Sequence, residues 1–347
     1  MIGIDRRMLT MVVLAGTLVA CGGTPSNSSG ATSEEQLSIA VPGALAATSL
    51  APYASAAGYF DELRLKVTMT FTTNNLIAGL ITSGQAEVGQ IGIGVPLSLS
   101  HQGKQTQVIY NTLGGGVGAV LAGKKSLSAP EDLKQMATCR IGASGGQGTS
   151  SYGAASIYNQ RLGTRCELVP LSDIPTELAA LVTGRVDAAA FPYEAIAGAV
   201  DAGQVKILID TRDQAQRIKY LGQTYPEAVY FTTKTVATSK KEALARFVKG
   251  VDRAAKTITS QPDAQSADVL EKVSAYSSIP ADKLAKSIGF SKTYFAPNKG
   301  YISQDNWKFA LTQYQLWGLA DFNPGDAEYS YASAINMKPY ESVLPKP

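Results

Sequence analysis

Apolar residues recur along this chain with two alternating periods. Over 65–71, Leu, Val, Met and Phe alternate with polar residues, the pattern of a half-buried strand, and 37–41 is a short apolar-rich run closed by Pro42 and Gly43. Between them Leu50, Tyr53, Ala57 and Phe60 share a helical face over 49–63, with Pro52 near its start, so the first unit reads β-α-β. The pattern predicts a helix at 76–82, opened by Asn74 and Asn75 and ended by Gly84, then a strand at 88–91, a helix from Pro96 and a strand at 108–111. The glycines of 112–116 break the pattern, a first hinge is expected there, and a strand at 119–122 leaves it. A second run follows: helix 130–136, strand 139–143, helix 149–161, strand 166–171, helix 176–182, strand 186–190, helix 194–201 and strand 205–209. Such alternation implies mostly parallel sheets. Beyond a strand at 229–232, residues 240–260 place Leu244, Phe247, Val248, Val251, Ala255 and Ile258 on one helical face. Helices at 281–288 and 306–319 precede an irregular tail, 322–347, whose aromatics are expected to pack back on the body.

The two runs echo each other. Residues 80–89 (LITSGQAEVG) and 180–189 (ALVTGRVDAA) each read as helix, glycine cap, acidic residue and small-residue strand. Any helix-Gly-strand junction has this form, but the matching acids Glu87 and Asp187 favour two similar lobes, with both carboxylates orienting their turns.

Composition narrows the class. With 347 residues, 45% hydrophobic and 17% charged, the chain is long enough for two domains and reads as soluble and globular, neither disordered nor a membrane bundle. A net charge of +3 from well-mixed residues gives no basic face, which argues against a nucleic-acid partner. At the N-terminus Arg6 and Arg7 precede an apolar run, 8–20, too short to span a bilayer and suited to a signal-peptide core. Residues 18–21 (LVAC) resemble the bacterial lipobox, which makes 1–20 a lipoprotein signal peptide, Cys21 the lipidated N-terminus and 21–36 a flexible tether. Arg6 and Arg7 also loosely resemble a twin-arginine signal, so the export route stays open. Cys139 and Cys166 then remain in an oxidising compartment; each begins a strand of one β-α-β unit, and a disulfide between them is expected. His101 is the single histidine, with no ligand-spaced partners, so no metal site, cofactor or His-dependent catalytic centre is expected.

The stretch 139–152 (CRIGASGGQGTSSY) runs from a strand through a Gly/Ser loop into a helix. Gly145, Gly146 and Gly148 permit positive φ and close backbone approach, and Thr149, Ser150 and Ser151 suit a helix start whose first amides lack partners. The loop is either a ligand grip, meeting the most polar part of a ligand, or a plain strand-to-helix turn. It is not a phosphate loop, having no Lys before the Thr, and its glycine spacing does not fit the dinucleotide fingerprint.

The lipobox, Pro52-Tyr53 before Gly58-Tyr59-Phe60, Gly84 with Glu87, Pro130 to Lys134, Ile141-Gly142 with Ser144, and Leu181, Gly184 and Val186 to Ala189 together resemble bacterial ABC-transporter solute-binding proteins. The chain is most similar to the group that binds aliphatic sulfonates, taurine, nitrate and thiamine-precursor pyrimidines, over roughly 37–260. The resemblance implies a two-lobed periplasmic-binding-protein-like α/β fold, each lobe a mostly parallel sheet flanked by helices. Two crossover segments would join lobe 1 (37–113 and 228–347) to lobe 2 (114–227). It further implies an exported monomer, lipid-anchored at the outer face of the cell membrane, that captures a small-molecule solute for permease and ATPase subunits. Carried over by position, ligand contacts fall on Thr48, Asn74, Asn75, Gly92, Ile93, Asn111, Ser144, Gly145, Gln147, Gly148, Thr149, Ser150, Tyr193 and Glu194. Where relatives often carry Ser-Glu-Pro, this chain has Phe191-Pro192-Tyr193-Glu194, so Glu194 either meets an amine on the ligand or complements its own helix N-terminus. Tyr193 and Tyr230 read equally as packed rings or as rings stacked on a ligand. Two rival classes remain: an enzyme of the thiamine-precursor type, whose cysteine-rich motif is absent here, and a solute-sensing lipoprotein.

Overall fold

The computed structural model describes residues 33–114, 120–222, 225–295, 300–319 and 321–347. The signal peptide, Cys21, most of the tether, and Gly115 and Gly116 of the expected hinge lie outside the described residues. In chain order the strands are β1 (Glu35–Pro42), β2 (Leu65–Thr72), β3 (Val88–Gly92), β4 (Thr106–Gly114), β5 (Val120–Lys124), β6 (Arg140–Ser144), β7 (Glu167–Leu171), β8 (Ala188–Phe191), β9 (Val205–Ile209) and β10 (Pro226–Thr233). They form two five-stranded sheets, ordered β2-β1-β3-β10-β4 and β7-β6-β8-β5-β9. In the first, β1 runs parallel to β2 and β3 while β10 opposes β3 and β4; in the second, β6 runs parallel to β7 and β8 while β5 opposes β8 and β9. Each sheet is therefore mostly parallel with one reversed strand, and that strand is the one the chain brings across from the other sheet.

The internal echo is real at the level of hydrogen bonds. Gly84 and Gly184 end the helices Asn74–Thr82 and Ile174–Val182 with φ of +75° and +76°, the left-handed geometry that favours glycine. Glu87 then accepts the Ser38 N–H of β1 at 2.9 Å, and Asp187 accepts the Arg140 N–H of β6 at 2.9 Å. Each acid also holds a lysine, Lys240 at 3.2 Å and Lys124 at 2.6 Å. The two carboxylates tie a helix-strand junction to the central parallel strand of its own sheet.

Cys139 and Cys166 form a disulfide with Cα atoms 4.6 Å apart, immediately before the register in which Arg140 pairs with Glu167. On the first sheet, helix Lys241–Ser260 buries Leu244, Phe247, Val248 and Val251 completely, and Phe247 stacks on Phe60 at 5.7 Å. The expected helix over 49–63 is split into Leu50–Ala56 and Tyr59–Glu62, because Gly58 takes φ +74° between them. The expected 240–260 helix is preceded by a separate one, Lys234–Ser239, and helices Gln214–Leu221 and Asp263–Leu270 add to the sequence expectation. The C-terminal aromatics do pack back. Tyr340 of the tail lies 6.4 Å from Tyr110 of β4 and Phe322 lies 6.5 Å from Tyr314, while Trp317, just before the tail, lies on Gly153 of helix Ser150–Leu162 beside the second sheet. Among the described residues no helix is long and apolar enough to cross a membrane, and no cluster of His, Cys, Asp and Glu could hold a metal ion.

Candidate functional site

Both sheets point the carboxyl ends of their parallel strands at the same space. Beyond β1, β3, β6 and β8, and against the start of β10, lies a cavity of about 430 Å³. This is the place where open α/β sheets take ligands, and the volume suits a small molecule. The first sheet supplies Gly43 to Leu45, Thr48, Asn74, Gln90 and Gly92; the second supplies Ser144, Thr149 to Ser151, and Asp173 to Pro175. Leu45, Ile91, Leu113, Ile174 and Pro175 make much of the wall apolar.

The loop after β6 is held by its own hydroxyls. Thr149 caps helix Ser150–Leu162, accepting the Tyr152 N–H at 3.3 Å, and its hydroxyl donates to the Ser144 carbonyl at 2.9 Å. Ser151 accepts the Ser144 N–H at 2.9 Å and donates to the Ala190 carbonyl at 2.8 Å, joining β6 to β8. Behind Ser151, fully buried Glu177 has one carboxyl oxygen 3.4 Å from that hydroxyl and the other without a hydrogen-bond partner among the described residues. Burial pushes its pKa well above the ordinary value, against the opposing pull of Ser151 and the Ser144 and Ala190 amides. Asp173 behaves oppositely: it caps helix Ile174–Val182 through the Thr176 N–H at 2.8 Å, and hydrogen bonds from Thr176 hold it below the usual carboxylate range. Asp173 thus presents negative charge at the wall, and no Lys, Arg or His is among the described residues that line the cavity.

The two lobes touch backbone to backbone beside the cavity. A Cβ built on Gly94 would lie 2.4 Å from the Gly148 Cα, one on Gly92 would lie 2.4 Å from the Ser150 N, and one on Gly148 would lie 2.6 Å from the Gly94 carbonyl carbon. Asn74 adds a bridge, its Nδ2 donating to the Ser144 Oγ at 3.3 Å, and the Ser150 hydroxyl reaches the Glu227 carbonyl at 3.4 Å.

Of the residues expected at the ligand, Thr48, Asn74, Gly92, Ser144, Thr149 and Ser150 line the cavity. The others have different surroundings. Gly148 carries φ +92° and meets Gly94, so it forms the lobe contact; Gly145, at φ +81°, donates its N–H to the Leu171 carbonyl at 2.7 Å. Gln147 is exposed and donates to the Gly318 carbonyl at 2.9 Å, and Asn75 is exposed in the first turn of its helix. Ile93 is core, and Asn111 is buried; with its amide oriented to satisfy its hydrogen bonding, its nitrogen donates to the carbonyls of Leu113, at 2.8 Å, and Ala228, at 3.1 Å. Tyr193 stacks under the Arg212 guanidinium at 3.4 Å and edge-on to Phe290, and Glu194 accepts the Ser291 hydroxyl at 2.9 Å. Burial raises the Glu194 pKa. Tyr230 is a core ring, edge-on to Phe247 at 4.9 Å, with its hydroxyl accepting the Ala51 N–H. Sequence reading missed Gln90, Ser151 as a tie and Asp173. The one signal for Gln90 is an amide in the middle of the otherwise apolar and glycine run Val88–Gly92.

Two sheets of identical order, facing each other across a cavity at their strand ends, make this chain a periplasmic-binding-protein fold. Residues 50–265 match the family model described as NMT1/THI5 like, and the chain belongs to that family. Among solved structures it is similar to a protein of Bordetella bronchiseptica RB50, with TM-score 0.73 and 19% identity over 89% of this chain and 96% of that one. It is similar to the ligand binding component of an ABC-type import system from Staphylococcus aureus with zinc bound, with TM-score 0.66 and 12% identity over 89% and 99% of the two chains. A third is the alkanesulfonate-binding protein SsuA of Xanthomonas axonopodis pv. citri bound to MOPS, with TM-score 0.64 and 16% identity over 83% and 95%. At these identities the likeness establishes the fold. No curated protein sequence matches the chain.

Proposed function

We propose that the chain is an extracytoplasmic solute-binding lipoprotein of an ABC importer. Lobe 1 (37–113 with 228–347) and lobe 2 (114–227) close on one small molecule, which passes unaltered to a permease and its ATPase. The observation that carries this reading is the cavity of about 430 Å³ at the carboxyl ends of two like sheets, apolar in much of its wall and furnished with a few polar groups. Delivery to an importer is supported by the likeness to the Staphylococcus aureus import component. A disulfide in so large a chain fits an oxidising compartment, and the lipobox supports anchoring through Cys21 at the outer face of the cell membrane. Of the expected ligand residues, the six that line the cavity are proposed as contacts: Thr48, Asn74, Gly92, Ser144, Thr149 and Ser150. The solute is a small polar molecule, of the sulfonate, taurine, nitrate or pyrimidine-like kind.

Native mass spectrometry of the exported protein tests this. A single co-purified small molecule that rebinds unaltered, and whose uptake by cells is lost when the protein is deleted, is the expected result. Release of a chemically changed product would support an enzyme instead, and undiminished uptake would remove the transport role.

A further inference from the structure

Tyr193 and Glu194 open helix Tyr193–Asp201, which follows β8 of the second sheet. They turn onto helix Ala281–Ser291, which goes with the first sheet: it packs on the 3-10 helix Ala46–Thr48 after β1, whose Ala47 and Thr48 line the cavity. Fully buried Ser291 donates its hydroxyl to Glu194 Oε1 at 2.9 Å, and Phe290 stands edge-on to the Tyr193 ring at 4.7 Å. A serine near a helix end can return its hydroxyl to a carbonyl three or four residues back, as Ser239 and Ser260 do with Thr235 and Thr257. Ser291 reaches instead to a carboxylate carried by the other sheet. The receiving side is held by its own neighbours. Asp210 grips the Arg212 guanidinium through two hydrogen bonds, at 2.8 and 2.6 Å, and that guanidinium lies 3.4 Å over the Tyr193 ring. All three belong to 114–227, so parting of the lobes would leave this platform in place and remove only Phe290 and Ser291.

We infer, building on the capture reading above, that Tyr193, Glu194 and Ser291 are positioning residues: they latch the lobes over the solute without touching it, at a contact distinct from the glycine one. Neither these three nor Phe290 lines the cavity, whereas Pro192, one residue before Tyr193, does. A solute that draws Pro192 inward therefore brings the platform to its partners. The latch is weak by its chemistry. Closing takes the Glu194 carboxylate out of water, which raises its pKa, and a single hydroxyl restores only part of that solvation. Such a contact adds to closure and still lets go, as a protein that must hand over its solute requires. An apolar pair at 194 and 291 would hold the lobes without that opposing effect.

The test uses the full chain carrying Cys21→Ala, calorimetry with taurine, methanesulfonate, nitrate and cytosine as probes, and small-angle scattering with and without them. Ser291→Ala and Glu194→Ala should each weaken whichever probe the parent chain binds by about tenfold or more, and by the same factor for every such probe. Glu194→Gln can still bond Ser291 and should stay within about threefold of the parent. The double Ala variant should lose no more than either single one, because the two groups act through each other. Additive losses, or affinities unchanged in the single variants, would overturn the latch while the capture reading stands. If no probe binds the parent chain, the capture reading fails for these solutes and solute-free scattering judges the latch alone. Larger radii of gyration in both single Ala variants, but not in Glu194→Gln, then support it, and equal radii overturn it. Should Ser291→Ala not fold, Glu194→Ala set against Glu194→Gln decides by the same readings.

Discussion

Replacing Gly94 by Ala separates lobe closure from everything else the neighbouring loop does. Gly94 opens helix Gly94–His101 and does not use a positive φ, so its backbone accepts Ala without strain. Within its own lobe the change favours the helix by up to about 1 kcal/mol, since Gly is a poorer helix former. Across the lobes the new methyl would lie 2.4 Å from the Gly148 Cα and 2.8 Å from its oxygen. Carbon atoms rest at roughly 3.5–4.0 Å, so the two backbones must part by about 1 Å or more. Both sides of the contact are main chain, and neither can swing away as a side chain would. An insertion of this size costs about 1–3 kcal/mol, charged only to the closed form, which lowers solute affinity by about 5- to 150-fold. Calorimetry with the co-purified solute reads the affinity, and small-angle scattering with and without solute reads the closure. Thr149→Ala is the contrasting variant: it removes the cap of helix Ser150–Leu162, worth about 1 kcal/mol of stability, and leaves the lobe contact free. If Gly94→Ala binds and compacts as wild type does, the glycine contact is incidental to closure and this reasoning is refuted.

Three further outcomes are expected. Replacing both Cys139 and Cys166 by Ser opens a loop with a sequence separation of 27, which should cost about 3–4 kcal/mol in guanidinium unfolding; a loss below 1 kcal/mol would count against the disulfide as a stabilising clamp. Glu177 has a raised folded-state pKa, so its share of stability is full below the unfolded value of about 4.3 and is lost as pH rises from there toward the folded pKa. Glu177→Gln should therefore gain on wild type with rising pH in that window, by up to about 1.4 kcal/mol per unit, and parallel pH–stability curves would contradict the shift. Cys21→Ala should move the protein from membrane to soluble fractions while leaving solute binding intact, and an unchanged membrane fraction would remove the lipid anchor.

Much of the architecture could be read from the chain because local periodicity and tertiary burial agree in it. The apolar face of 240–260 is the face buried on the first sheet, and Gly84 and Gly184 stop their helices where their residue type suggests. Glu87 and Asp187 were legible as a pair because the same turn chemistry recurs in both runs. The missed helices, Gln214–Leu221 and Asp263–Leu270, are only eight residues each, too short for local pattern to fix them, so tertiary contacts decide them. The site was only partly legible, since a cavity is assembled from strand ends far apart in sequence. Gln90 lies inside a strand, where the period of two reports which face a residue takes and not what lies beyond it. The positive φ of Gly148 follows from its residue type, but nothing local reveals that Gly94 of the other lobe lies against it.

The strand that each sheet borrows also sets the order in which the chain becomes a protein. β10 stands between β3 and β4, and its Thr232 bonds to the Glu87 carbonyl across a sequence separation of 145 residues. Until residue 233 has emerged, β4 has no neighbour to pair with in its own sheet, and the first three strands form only a partial edge. The N-terminal third of the chain therefore stays incomplete through most of synthesis, the expensive long-range closure comes last, and folding is slow for its size. For the export proposed above, late closure is useful on a route that threads the unfolded chain, because the segment being threaded has no finished domain to unfold.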